Sequence, residues 1–237
     1  MPEKDLKTRA NKIISVLAKT YPHAKIALEY KTPFQLAVVT ILSAQSTDKQ
    51  VNKISPALFK RFRTIKALAE ADQKELEQYV HSTGFFRNKA KNVKAMAQMV
   101  LTKFKGVLPD NMEDLLLLPG VARKTANVIL FNAFGKNEGI AVDTHVKRLS
   151  QRLGLSNNED PNKIEQDLLK LFPRKLWGKI NHYLIDHGRN ICDAKKPKCE
   201  ICPVKKLCPW PQAAISYKLS FLPSCPLAVR GRSASKQ

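Results

Sequence analysis

Apolar residues recur at intervals of three and four along most of the chain, as in Leu6, Ala10, Ile13 and Leu17, and again in Ala90, Val93, Ala97, Val100 and Phe104. That spacing gathers them on one face of an α-helix, and the every-second-residue alternation of a half-buried strand stands out nowhere. The punctuation agrees. Thr32 before Pro33, and Asp160 before Pro161, each pair a capping side chain with a proline at the first helical position, where its missing N–H does no harm. Thr64 is a further cap, Asp72 followed by Glu75 has the spacing of a capping box, and Gly84 and Gly154 sit where helices end. The segment 34–42, FQLAVVTIL, is apolar around most of its circumference, which predicts a fully enclosed central helix whose end, SAQSTD, returns to the surface. Counted this way the chain is all-α, with about ten helices.

Composition narrows the setting. A chain of 237 residues that is 43% hydrophobic can bury a substantial core, as one large domain or two small ones. It has no run of 18 apolar residues, and its first residues, MPEKDLKTRANK, lack the apolar centre of a secretory signal, so an intracellular protein with no membrane span is expected. Lys and Arg total 41 against 20 Asp and Glu, a net charge of +21 that attracts a polyanion through counterion release and disfavours self-association. Nucleic acid is the leading partner, and a monomer is expected. Residues 212–237 carry Lys218, Arg230, Arg232 and Lys236, no acidic residue and several Ser and Pro, the texture of a poorly ordered basic tail.

Four of the five cysteines fall within 17 residues, Cys192, Cys199, Cys202 and Cys208, spaced C-x6-C-x2-C-x5-C. In a reducing compartment such a cluster points to a metal site rather than to disulfides, and four thiolates suit either zinc or an iron–sulfur cluster. Cys225, in the tail, is expected to be a free thiol. Arg189, Lys195, Lys196, Lys198, Lys205 and Lys206 surround the four cysteines. A metal that stiffens this loop would present lysines to phosphates at little entropic cost, although lysines also serve simply to solvate a loop.

Residues 118–126, LPGVARKTA, lie between the apolar run Leu115 to Leu118 and the helix-compatible ANVILFNAF. Two helices joined by a glycine turn form a helix-hairpin-helix, in which Gly120 permits close backbone approach and the free N–H groups at the next helix start hold a phosphate without reading sequence. Lys124 falls in that first turn, where the positive end of the helix dipole disfavours an ammonium, and Arg123 beside it adds to the effect. A more readily deprotonated amine is what a Schiff-base nucleophile requires; phosphate binding is the plainer role. Nineteen residues on, VDTH at 142–145 opens another helical segment. Asp143 is placed to cap it, or to stabilise positive charge developing on a sugar.

The ordered set LPGVARKTA, VDTH and the four-cysteine spacing, with SAQSTD at 43–48 and TGFFRNKA at 83–90, resembles the endonuclease III family from about residue 6 to residue 210. The resemblance implies a helix-hairpin-helix DNA glycosylase fold, with a six-helix barrel domain over 26–136 and a cluster domain built from 1–25 and 137–211. It implies a [4Fe–4S] cluster on Cys192, Cys199, Cys202 and Cys208, and damaged double-stranded DNA across the cleft between the domains. The implied activity is base excision of oxidised pyrimidines, with Lys124 attacking C1′, Asp143 assisting, and strand cleavage by β-elimination. Gln45 is implied as the side chain that fills the gap left by an everted nucleotide, with Phe85 as a wedge against the opposite strand. Gly120, Ala122, Arg123, Lys195, Lys196 and Lys198 are the remaining expected DNA contacts. Two positions depart from the family pattern: Ala122 replaces a frequent second hairpin glycine, and Leu116 stands where an acidic residue is found in a well-studied member. A glycosylase for a mispaired base, or a DNA-binding module without chemistry, remain alternatives, though the related adenine glycosylases lack a nucleophile at the position of Lys124.

Overall fold

In the computed structural model, which describes residues 3–210, the enclosed segment is helix α2 (Pro33–Leu42), capped by the Thr32 side chain, which accepts from the Gln35 amide. Seven of its side chains, Phe34, Leu36, Ala37, Val38, Val39, Ile41 and Leu42, are buried. Around it the described residues form ten further α-helices and no strand: α1 (Glu3–Thr20), α3 (Asp48–Arg61), α4 (Ile65–Ala69), α5 (Gln73–Val80), α6 (Phe86–Lys103), α7 (Met112–Leu117), α8 (Arg123–Phe134), α9 (Thr144–Arg152), α10 (Pro161–Leu171) and α11 (Trp177–Asn190). None is long and apolar enough to cross a membrane. The basic tail and Cys225 lie outside the described residues.

Two buried clusters organise these helices. The first runs from Leu28 to Leu130 and is centred on α2, against which α6 lays Ala90, Val93, Met96, Ala97 and Val100. The second joins α1, through Ala10, Ile13, Ile14 and Leu17, to apolar residues between Ile140 and Val204. A long N-terminal helix therefore packs with the last third of the chain, because its apolar stripe finds no other cover.

Local sequence explains most boundaries. Thr64, Asp72 and Asp160 cap α4, α5 and α10 through their side chains, and Gly154, at φ +60°, follows the end of α9. The capping box forms only in half. Asp72 accepts from the Glu75 amide, but the Glu75 carboxylate takes Arg61 at 2.6 and 2.9 Å, a stronger charged partner than the reciprocal amide.

The hairpin between α7 and α8 turns on Gly120, whose φ of +80° is open to glycine at no steric cost. A Cβ there would stand 3.0 Å from Cβ of Asn92 and 3.2 Å from Cδ1 of Ile41, so turn conformation and close packing both demand its absence. Gly120→Ala should therefore lose about 2 kcal/mol of stability in urea denaturation, combining left-handed strain with crowding. An unchanged midpoint would show that the turn relaxes freely.

Candidate active site and cysteine centre

Lys124 lies in the first turn of α8 and Asp143 caps α9, and both line one cleft of about 100 Å³ between the two hydrophobic clusters. Oδ1 of Asp143 accepts from the Val146 amide at 2.8 Å, and Oδ2 lies 3.4 Å from Nδ1 of His145. Capping and a place in the cleft are thus compatible, since the second oxygen meets the His145 side chain and makes no bond to the helix backbone. Burial pushes the Asp143 carboxyl up, but the hydrogen bonds from His145 and Val146, with the charges of His145 and Lys124, outweigh it and hold the group below the usual carboxylate range. Asp143 is therefore ionised at neutral pH.

The hairpin beside it leaves amides open. The Leu118 amide donates to Leu115 O and the Val121 amide to Leu118 O, closing the turn. Ala122, with φ −91° and ψ 171°, occupies the N-cap position of α8 but has no side chain able to cap it. Its negative φ shows that a methyl group is tolerated where the family often has glycine, and the first-turn N–H groups keep their outward direction. Leu116 is exposed on α7.

Arg123, expected as a DNA contact, also has a partner within the fold. Its Nε and Nη2 donate to Glu165 at 2.6 and 3.2 Å, and Glu165, on α10, is 3% exposed. The same carboxylate also accepts from Asn127 Nδ2 at 2.9 Å and the Ile140 amide at 3.2 Å. The guanidinium is thus paired with a buried acid while about one-third of its side chain stays exposed.

Gln45 and Phe85 sit on turns with φ of +52° and +48°, left-handed conformations that cost a non-glycine residue about 1 kcal/mol or more. Both side chains are exposed, Phe85 by 64%.

Several cleft residues carried no local signal. Asp48, at the start of α3, accepts from Arg189 Nη2 on α11 at 2.7 Å, across 141 residues of sequence. His182 faces the same cleft with Nε2 3.0 Å from Asn132 Oδ1, and burial pushes its pKa down to about 4, so the ring is neutral there. The one sequence hint is their seven-residue spacing on a single helix, which puts His182 and Arg189 on one face.

Cys192, Cys199, Cys202 and Cys208 line a single cavity with Arg152 and His187. Among the described residues no three Cys, His, Asp or Glu side chains converge as one metal ion demands, with sulfurs about 2.3 Å from a common point for zinc. Four thiols on one cavity match the number of thiolates that a [4Fe–4S] cluster takes. Two nitrogen groups reach the sulfurs. Arg152 Nη1 lies 3.4 Å from Cys192 Sγ and also fixes Asp193 O, while His187, bonded through Nδ1 to Tyr21 OH, turns Nε2 toward Cys202 Sγ at 3.5 Å. Lys195, Lys196 and Lys198 project from this loop and are exposed; the amides of Lys195 and Lys196 donate to Asp193 Oδ1, which shapes the turn that carries them.

Known proteins share this arrangement. Residues 38–174 match the model of the HhH-GPD superfamily base excision DNA repair proteins, and residues 192–208, from the first cysteine of the set to the last, match the iron–sulfur binding domain of endonuclease III. Endonuclease III of Synechocystis sp. is 54% identical over 208 residues, 88% of this chain and 95% of that protein. Two solved structures, an endonuclease III in a non-covalent complex with DNA and one trapped as a covalent intermediate with DNA, each superpose with a TM-score of 0.84 at 38% identity. They cover 89% and 88% of this chain respectively, and 98% of each solved chain. With a superfamily model matched over more than half its length and a relative this similar across nearly all of the described residues, the chain belongs to the HhH-GPD superfamily of base excision DNA repair proteins and, within it, to the endonuclease III family.

Proposed function

We propose that the chain excises oxidised pyrimidines from duplex DNA through an imine on Lys124 and then cleaves the strand at the resulting abasic sugar. The observation that carries this reading is the shared cleft: an amine on an uncapped helix start and an ionised carboxylate face the same space. An endonuclease III trapped covalently on DNA supports the same chemistry here.

The steps follow from the geometry. Open amides at the start of α8 take a backbone phosphate, which brings the strand to the cleft without reading sequence. An everted nucleotide enters, Gln45 and Phe85 occupy the helix it leaves, and the Lys124 amine attacks C1′. The glycosidic bond breaks, its electron pair departing with the base, which takes up a proton. Asp143 stabilises the positive charge that builds on C1′ and the ring oxygen. The sugar ring opens to an imine, loss of a C2′ proton expels the 3′ phosphate, and water releases Lys124.

Cys192, Cys199, Cys202 and Cys208 would hold the [4Fe–4S] cluster, which would stiffen the loop, while the exposed lysines there bind phosphate. Residues 26–136 form one domain and residues 1–25 with 137–211 the other, a division supported by the two hydrophobic clusters. The enzyme acts as a monomer inside the cell, in keeping with its charge and its clustered cysteines.

Borohydride added during reaction with duplex DNA containing thymine glycol should yield a stable protein–DNA adduct in the native chain and none in Lys124→Ala. An adduct that persists in the variant removes Lys124 as the nucleophile. Lys196→Glu should weaken binding to damaged and undamaged duplexes alike and lower the salt slope by about 1 or more; loss confined to damaged DNA would contradict a phosphate contact.

A further inference from the structure

The turns that carry Gln45 and Phe85 are tied together by one buried amine. Lys89, in the first part of α6, is 5% exposed. Its Nζ donates to Leu42 O at 2.9 Å and to Thr83 O at 2.7 Å. Leu42 closes α2 three residues before Gln45, and Thr83 lies two residues before Phe85. The Lys89 backbone N–H, in turn, donates to Phe85 O at 3.1 Å. A single residue therefore grips one shoulder of the first turn and both shoulders of the second.

This placement is costly as a piece of core. A buried ammonium loses its hydration, and here burial alone pushes it below the ordinary lysine range, with no carboxylate to compensate. The C-terminal end of α2 offsets part of that cost through its dipole. Methionine would fill the same space without a charge to desolvate. What it could not do is bond two carbonyls on separate segments and so fix their separation. The other link between the same regions, Gln50 Nε2 to Ser82 Oγ at 2.5 Å, is exposed, where water can take over either partner. Lys89 is the link that water cannot replace.

Spacing matters because Gln45 and Phe85 belong to different elements yet must enter the same base step. Both already sit in left-handed backbone, and a misplacement of about 1 Å is enough to cost a reaction up to about a hundredfold. We propose that Lys89 is a positioning residue for nucleotide extrusion, its ammonium fixing the distance between the Gln45 and Phe85 turns so that both side chains meet the duplex together. Because this rests on the roles given above to Gln45 and Phe85, Gln45→Ala and Phe85→Ala are measured alongside.

Lys89→Met is assayed for single-turnover excision of thymine glycol from duplex DNA, and for cleavage of single-stranded DNA carrying an abasic site, which needs Lys124 but leaves no gap to fill. Duplex excision should fall at least about tenfold while single-strand cleavage stays within about twofold. Amide exchange at residues 43–46 and 83–86 should quicken without a matching change across α8. Lys89→Gln, which retains a donor on a shorter arm, should lie between Lys89→Met and the native chain, and it replaces the methionine variant if that does not fold. Equal loss in both assays, no loss in either, or failure of both variants to fold would overturn the positioning role. If Gln45→Ala and Phe85→Ala leave duplex excision intact, the wedge reading itself fails and the brace with it; if they impair excision and Lys89→Met does not, only the brace fails.

Discussion

One buried carboxylate holds the site together. Glu165 accepts four hydrogen bonds, from two guanidinium nitrogens of Arg123, the Asn127 amide group and the Ile140 backbone. Arg123 and Asn127 lie on α8, which belongs to the cluster around α2, whereas Ile140 and Glu165 belong to the segments that pack with α1. Lys124 follows Arg123 directly, and Asp143 follows Ile140 by three residues. The acid thus clamps the amine-bearing helix to the strand of chain that delivers its partner. A buried charge so fully paired is costly to break, by about 3–5 kcal/mol when one side is removed, so the junction has one strongly preferred geometry. Gly139 fits the same picture, because a Cβ there would collide with Glu165 and Asn127.

The chemistry then needs little further machinery. Asp143 spends one oxygen on the Val146 amide and stays ionised, and Lys124 stands at a helix start that no side chain closes. Around the rim, functions requiring exposure are placed on backbone that ordinary folding would avoid. Phe85 remains in solvent on a left-handed turn, and Gln45 does the same on the opposite turn. Such strain persists only where surrounding contacts over-determine it, and Lys89 supplies those contacts from beneath.

What could be read from the sequence was whatever depends on neighbours within one helical turn. Thr32 and Asp160 announced their helices because a cap acts over three residues, and the apolar circumference of 34–42 announced an enclosed helix. Lys124 and Asp143 were legible by their places at helix starts and by family resemblance, and the cysteine set by its spacing. Zinc and iron–sulfur stayed open on spacing alone, and the likeness to endonuclease III, whose iron–sulfur binding domain matches residues 192–208, is what favours the cluster. The remainder was hidden because it pairs residues far apart. Nothing local marks Glu165 as the partner of Arg123, Arg189 as that of Asp48, or Lys89 as a brace. Phe85 was read as a wedge by family resemblance alone; its local sequence gives no sign of the 64% exposure it has in the fold.

The central claim is that the amine and the carboxylate work as a pair because Glu165 fixes the junction between them. Its most direct measurement is the single-turnover rate of borohydride-trappable adduct formation in Glu165→Gln, compared with its urea midpoint. The account predicts a rate reduced by about tenfold or more at urea concentrations where the variant is still folded, since a small misplacement of Lys124 against Asp143 is expensive. Adduct formation at the native rate in a folded Glu165→Gln would contradict it.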